Sequence, residues 1–377
     1  CFSVIYKYLD EAESFNLDNL TTSNDRITKL LQAVATLHNH GVLQQDIHLD
    51  NLLIKNEEIY FIDVGSIKSS KNYQNLNKEK SLKNLALLFA QFTFIEQEIF
   101  VNALGVYYQA RNWLLKNTSC DKTLDKKEQE NFANLLSSAW NKRKRNYLSK
   151  CFRTCSMTQY KKTFSYEIAF RSNFLDKVDT NFISNIDQYI DKGTIIKAGN
   201  SATVAQTTIN NKPILIKRYN IKNFTHLLKR FWRPSRAAIS WKNANLLEFI
   251  GIPTPRPFGF IEKRIGWFRT TAYFITEYIE SDELLGVYQQ RKPTNYELDQ
   301  INNIFLSLQH ELISHGDFKA QNFLLDETGR INLIDLDAMK EHTSPHKFQM
   351  DFIKDKKRFL RNWDDTATKE IFESLLF

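Results

Sequence analysis

One pattern occurs twice in this chain, and that duplication constrains its fold more than any other feature. The first copy runs His40-Gly41-Val42-Leu43-Gln44-Gln45-Asp46-Ile47-His48-Leu49-Asp50-Asn51-Leu52-Leu53, then Ile59-Tyr60-Phe61-Ile62-Asp63-Val64-Gly65. The second runs Ile313-Ser314-His315-Gly316-Asp317-Phe318-Lys319-Ala320-Gln321-Asn322-Phe323-Leu324-Leu325, then Ile331-Asn332-Leu333-Ile334-Asp335-Leu336-Asp337. In each, Asn follows Asp by five residues, and a further Asp closes an apolar run seventeen or eighteen residues after the first. Two copies are too few for a solenoid, so a duplicated domain is the expectation.

Hydrophobic spacing predicts an amphipathic helix before each copy, over 25–38 and 295–310. Residues 51–54 with 59–62, and 323–325 with 331–334, are expected as hairpin arms, with turns at Asn56-Glu57 and Asp326-Glu327-Thr328-Gly329. The second copy is preceded by three expected antiparallel strands (194–198, 202–209, 213–219) and a helix over 237–249. Gly251-Ile252-Pro253-Thr254-Pro255-Arg256-Pro257 then stops that helix, and strands resume at 258–262 and 272–277. Only residues 3–9, a strand resembling a hinge, precede the helices of the first copy. A β-rich small lobe leading into a helical large lobe is the arrangement of a protein kinase. The expected class is therefore α+β: a protein-kinase-like bilobal fold preceded by a second, kinase-like large lobe. The boundaries expected are a truncated large lobe over 1–150, a linker or helical connection over 151–185, and a complete domain over 186–377. Within that domain the small lobe takes 186–280 and the large lobe 281–377.

Composition excludes several alternatives. With 28 Phe and 15 Tyr against 11 Gly and 7 Pro, the chain suits a packed core and not a linker or a disordered tract. The longest apolar stretch, 85–95, is interrupted by Gln91 and is expected to be a buried helix, too short to span a bilayer. A chain that begins with Cys1 is expected to be a fragment or processed product, and no charged-then-apolar leader points to secretion. Cys1, Cys120, Cys151 and Cys155 are too few for a disulfide scaffold and lack zinc-like spacing, so reduced thiols are expected. The net charge of +8 is concentrated in two clusters. One holds Lys142, Arg143, Lys144, Arg145, Lys150 and Arg153. The other runs from Lys217 to Lys242 and includes Lys222, Lys229, Arg230, Arg233 and Arg236 with Phe231, Trp232 and Trp241. A solvated helix face explains such clusters, and a phosphorylated or membrane-surface partner suits the second. No nucleic-acid motif accompanies them, so nucleic acid is not an expected partner.

Transfer of a phosphoryl group from ATP demands Mg²⁺ on the phosphates, a cation along them and a carboxylate near the attacking hydroxyl. The second copy has a candidate for each. Asp317 is placed as the base, and Lys319 could reach the transferring phosphate. Asn322 and Asp335 offer the hard oxygen ligands that Mg²⁺ prefers. Lys217, ending a strand, would grip the phosphates, and Gly199 in Ala198-Gly199-Asn200-Ser201-Ala202-Thr203-Val204 would lie over them. Asp337 is either a second metal ligand or a chain-turning residue. His315 reads as a structural hydrogen-bonding histidine. In the first copy, Asp46 is the candidate base and Asn51 and Asp63 the candidate metal ligands, with His48 where Lys319 stands.

These residues resemble the lipopolysaccharide kinase (Kdo/WaaP) family of the protein-kinase-like fold. The likeness lies in 315–324 and 333–339, in Ile216-Lys217-Arg218-Tyr219-Asn220, in 251–257 and in Arg358-Phe359-Leu360-Arg361-Asn362-Trp363. It covers most of 190–365 and, more loosely, 1–100. It implies a cytoplasmic kinase, peripheral at the inner face of a bacterial inner membrane, using ATP and Mg²⁺ to phosphorylate an inner-core sugar, Kdo or heptose. Ser240-Trp241 stands where a kinase helix carries its lysine-pairing glutamate, leaving Glu248 as the candidate partner of Lys217. No Arg precedes either Asp46 or Asp317, which points away from a regulated protein kinase. The rival readings are a pseudokinase that binds nucleotide or a partner, and a kinase for another small-molecule or protein hydroxyl.

Overall fold

In a computed structural model, which describes residues 10–15, 20–114, 124–175, 181–220, 234–266 and 268–376, both sequence repeats fold into the same short series of elements. The chain divides into two units, Cys1–Arg143 and Lys144–Phe377. Residues 3–9, Cys1, Cys120 and, from the second basic cluster, Lys222, Lys229, Arg230, Phe231, Trp232 and Arg233 lie outside the described residues.

The first unit contains β1 (Glu13–Ser14), α1 (Leu20–Asn39), β2 (Val42–Gln44), β3 (Leu52–Lys55), β4 (Glu58–Phe61) and β5 (Ile67–Ser69). It continues with α2 (Lys78–Phe89), α3 (Phe94–Asn102), α4 (Leu104–Ala110) and α5 (Lys126–Lys150), in which this unit ends and the next begins. On α1, Ile27, Leu30, Leu31 and Val34 are fully buried, the i, i+3, i+4, i+7 spacing of one helix face. The apolar stretch 85–95 is not one helix. It breaks after Phe89, and Thr93 caps α3, its amide donating to Glu96 at 2.7 Å. That reciprocal cap satisfies amides that a helix start would otherwise leave orphaned.

The second unit carries a seven-stranded antiparallel sheet in the order β6-β7-β11-β12-β10-β9-β8. Its strands are β6 (Thr158–Lys162), β7 (Tyr166–Arg171), β8 (Thr194–Ala198), β9 (Ala202–Ile209), β10 (Lys212–Tyr219), β11 (Pro257–Ile265) and β12 (Phe268–Glu277). Short helices α6 (Ser172–Leu175), α7 (Asn181–Ser184) and α8 (Ile186–Lys192) precede β8, and α9 (Arg236–Ile250) follows β10. Segment 151–185 is thus not a linker: β6 and β7 extend the sheet, β7 pairing with β11. The apolar run of β7, Ile168-Ala169-Phe170, is buried at three consecutive residues, as a strand covered on both faces requires. Ser235 caps α9, and Gly251 ends it at φ +80.

Alternation along β10 sorts its side chains. Ile214 and Ile216 join Ile168, Phe170, Ile261 and Ile275 in a core covered by Phe182, Ile186 and Ile190 from α7 and α8. Lys217 and Tyr219 face the other way. The helical lobe follows with β13 (Ser281–Glu283), α10 (Leu284–Gln290), α11 (Asn295–His310), β14 (Ile313–Ser314), β15 (Phe323–Asp326), β16 (Ile331–Leu333), β17 (Lys340–Glu341), α12 (Pro345–Leu360) and α13 (Thr366–Leu376). Its core is aromatic: Phe318 lies 4.6 Å from Phe305 and 4.9 Å from Phe323 between ring centroids. Burying each such ring stabilises the fold by about 1.5–3 kcal/mol. Phe318 follows Asp317 and Phe323 follows Asn322, so two buried anchors pin the polar loop between them.

Candidate active site

The chemistry of the second unit gathers where β10, the loop 315–322 and the residues after β16 meet. Lys217 Nζ lies 2.5 Å from Asp335 Oδ1 and 3.9 Å from Asp337 Oδ2. Arg236, in the first turn of α9, holds Asp337 Oδ2 at 2.6 Å. Beneath these charges the Tyr219 ring lies 5.2 Å from Lys217 Nζ and 4.8 Å from the Arg236 guanidinium carbon. The Tyr219 hydroxyl meets Ser240 Oγ at 2.9 Å. Burial pushes the Asp335 carboxyl up, but the charge and hydrogen bond of Lys217 outweigh it and hold Asp335 below the usual carboxylate range. Asp337 goes the other way: burial, with the neighbouring Asp335 charge, keeps it above that range despite Lys217 and Arg236. Burial presses the Lys217 ammonium down, but Tyr219, Asp335 and Asp337 together raise it above its ordinary value.

Asp335 occupies the left-handed region at φ +63, directing its carboxylate off the end of β16. Asn243 of α9 secures the following turn by donating to Leu336 O at 2.8 Å. On the opposite side, Asn322 Nδ2 donates to Asp317 O at 2.7 Å, which orients the asparagine. Arg358 of α12 donates to Asp317 Oδ1 at 2.8 Å and to Gly316 O at 2.7 Å, while Lys319 Nζ meets Asp317 Oδ2 at 3.1 Å. Behind the loop, the buried Asp355 accepts from the amides of His315 and Gly316 at 2.7 and 3.0 Å. His315 Nε2 donates to Ile334 O at 3.0 Å, linking the loop to the residue before Asp335. Burial lowers the pKa of His315, consistent with a neutral, structural ring. Gly316 has φ +81, and a Cβ there would sit 2.8 Å from Ala338 O, so the tight passage excludes a side chain.

Glu248 does not pair with Lys217. Its carboxylate is taken by Arg171 of β7 and faces the Tyr147 hydroxyl at 3.5 Å, because it sits some three turns further along α9 than Arg236. Lys217 pairs with Asp335 instead. Gly199 does lie in the β8–β9 turn, its amide donating to Ala202 O at 3.0 Å. Sequence reasoning missed Arg236, Arg358, Tyr219 and Asp355. Arg236 was visible only as one charge in a basic cluster, and Arg358 only as part of the Arg-Phe-Leu-Arg-Asn-Trp stretch.

Asn322 and Asp335 fit a divalent cation: with Nδ2 committed to Asp317 O, the asparagine has its Oδ1 to offer, and Asp335 is held ionised. No group of three or more His, Cys, Asp or Glu that could hold a metal occurs among the described residues. Mg²⁺ characteristically takes one or two carboxylates and completes its shell with water and substrate phosphate. In the first unit, Asn51 Nδ2 donates to Asp46 O at 3.1 Å and Asp63 has φ +57, repeating the backbone geometry of the second.

A lysine from a sheet lobe, a loop aspartate, an asparagine five residues on and an aspartate after a hairpin define a kinase-like phosphotransferase. Residues 197–373 match the model of the lipopolysaccharide kinase (Kdo/WaaP) family, and residues 1–86 match that of the lipopolysaccharide core biosynthesis protein (WaaY). Among solved structures, "WaaP in complex with acyl carrier protein" is 14% identical, with a TM-score of 0.39, over 52% of this chain and 81% of that one. No curated protein matches the chain. No helix among the described residues is long and apolar enough to cross a membrane.

Proposed function

We propose that the second unit transfers the γ-phosphate of ATP to a hydroxyl of a lipopolysaccharide inner-core sugar, Kdo or heptose. The observation that supports this reading is the pairing of Lys217 with Asp335, together with Asn322 bound to the backbone of Asp317: a cation and two candidate metal ligands near a loop carboxylate. Lys217 would grip the nucleotide phosphates, under the Gly199 turn. Asp317 would orient the acceptor hydroxyl and take its proton, with Arg358 fixing one carboxylate oxygen. Lys319, on the other oxygen, would neutralise charge on the transferring group. Asn322 and Asp335, with Asp337 behind them, would hold Mg²⁺, which supplies charge neutralisation on the phosphates.

The test is phosphate transfer from radiolabelled ATP to lipopolysaccharide extracted from cells lacking the gene. Wild type should label the core and Asp317→Asn should not. Nucleotide binding without labelling of any core acceptor would overturn the kinase reading in favour of a pseudokinase. Labelling of a protein or a small-molecule hydroxyl alone would overturn the choice of acceptor.

A further inference from the structure

One stripe of α9 carries polar side chains into the candidate site. Arg236, Ser240 and Asn243 follow one another at the i, i+4, i+7 spacing of a single helix face. Arg236 binds the Asp337 carboxylate, Ser240 Oγ meets the Tyr219 hydroxyl at 2.9 Å, and Asn243 donates to Leu336 O at 2.8 Å. Ser240 and Asn243 are buried and fix the helix to β10 and to the turn after β16. Arg236 is the member whose place local rules do not explain.

Arg236 stands in the first turn of α9, directly after the Ser235 cap. Unpaired amides make that end of a helix electropositive, so a cation there is disfavoured and an acid is the usual choice. The turn contains no acidic residue. What offsets the position is Asp337, whose Oδ2 accepts from Arg236 Nε at 2.9 Å and lies 2.6 Å from Nη2. The Asp337 side chain is only 9% exposed, so its charge is poorly screened by water and needs a cation close by.

Two carboxylates and two cations therefore share one corner, with the Tyr219 ring beneath both cations. Lys217 Nζ is 2.5 Å from Asp335 and 3.9 Å from Asp337. Asp335, a candidate metal ligand, would be claimed by Mg²⁺, whereas Asp337 is claimed by Arg236. Without Arg236, Lys217 is the cation within reach of Asp337, and it would be shared between two carboxylates. A lysine so held is poorly disposed to turn to a nucleotide.

We propose that Arg236 is a positioning residue: by occupying Asp337 it leaves Lys217 held by Asp335 alone, from which nucleotide phosphates can draw it. Asp337 stands behind the metal pair as the partner of Arg236. The inference rests on the reading of Lys217 as the cation that grips the phosphates.

The experiment is fluorescence titration of the full chain with trinitrophenyl-ATP, in Mg²⁺ and again in EDTA. Arg236→Met should weaken Kd about tenfold in both conditions, because the loss lies at Lys217 and not at a metal. Asp337→Asn alone should bind within about twofold of wild type, and adding it to Arg236→Met should restore binding to within about threefold. Arg236→Lys, which keeps a cation against Asp337, should also stay within about threefold. In a Lys217→Met background, Arg236→Met should have no further effect, since the one acts through the other. Thermal melting establishes that each variant is folded. The double variant leaves no unpaired buried charge, so it reports even where Arg236→Met alone does not fold. The proposal is overturned if Arg236→Met binds as wild type. It is overturned if the double variant stays as weak as Arg236→Met, which would make Arg236 a direct phosphate ligand. Loss of binding by Asp337→Asn in Mg²⁺ alone would overturn it as well, making Asp337 a metal ligand. Those three outcomes leave the kinase reading standing; a wild type that binds no nucleotide overturns both together.

Discussion

The loops around Asp46 and Asp317 share a backbone and differ in what surrounds their carboxylates. Each aspartate is followed by a buried apolar anchor, Ile47 or Phe318, and each asparagine by another, Leu52 or Phe323. Each asparagine turns its Nδ2 to the aspartate carbonyl, and each closing aspartate, Asp63 or Asp335, takes a left-handed conformation. A side-chain donor also secures the carbonyl before that residue: Gln44 reaches Ile62 O at 3.0 Å, and His315 reaches Ile334 O at 3.0 Å. The charges are where the copies part. Asp317 is flanked by Arg358 and Lys319, and Asp335 by Lys217; among the described residues no ion pair reaches Asp46 or Asp63. His48 turns to Asp50, with Nδ1 3.2 Å from Oδ2. Packing alone reproduces the loop; active-site electrostatics require side chains from other elements.

The supports behind the loops differ as well. Buried Asp355 of α12 accepts two loop amides in the second unit. In the first unit, buried Asn84 of α2 donates to Gln44 O at 2.8 Å. Its Oδ1 accepts from His38 Nε2 at 3.1 Å, and His38 Nδ1 accepts from the Tyr107 hydroxyl at 2.6 Å. A carboxyl acceptor holds one loop, and a relay through an imidazole holds the other.

The largest expected difference is in transfer itself. Asp317→Asn should lower turnover by about a thousandfold or more, whereas Asp46→Asn should leave it within about twofold. Equal losses in a labelled-phosphate assay would break the distinction between the two units. Asp355→Ala leaves the buried His315 amide and the part-buried Gly316 amide without their acceptor and should cost about 3 kcal/mol in denaturant unfolding. Acid should act on the first unit as well. Burial brings the His38 pKa down to about 4 from an ordinary 6.5, so the unfolded chain binds a proton that the folded unit refuses. Its stabilising effect is complete above pH 6.5 and is lost as pH falls toward 4, on the order of 3 kcal/mol in all. Hydrogen exchange of the Gln44 loop between pH 7.5 and pH 4.5 reads this out, and His38→Gln should flatten the dependence. The smallest effect is expected from Arg358→Leu, which puts at that place the residue type found in α2 at Leu87. Losing one cation from Asp317 should reduce kcat by about tenfold, with little change in the melting temperature.

Much of this was legible in the sequence because it depends on local rules. Helical spacing marked α11 at Asn295–His310, and the pleated apolar runs marked β8 and β9. The Asp–Asn–Asp pattern marked the loop because its backbone geometry is short-range, and Lys217 stood out as the cation that closes the apolar run Ile214–Ile216. Strands β6 and β7 were missed because Thr158–Lys162 is polar and partly exposed; it is a strand only because β7 pairs with β11. Glu248 was chosen as the acid nearest in sequence to the expected position, yet helix phase turns it to Arg171.

What the sequence determined by itself is the pair of loops, their fold class and the candidate groups for phosphoryl transfer. Tertiary structure alone decided the ionic partners: Asp335 and not Glu248 for Lys217, Arg236 for Asp337 and Arg358 for Asp317. The separations involved, 118 residues for Lys217–Asp335 and 101 for Arg236–Asp337, place these contacts beyond any local periodicity. Backbone conformation is set by neighbours along the chain, whereas a charge finds its partner through the packing of elements far apart in sequence.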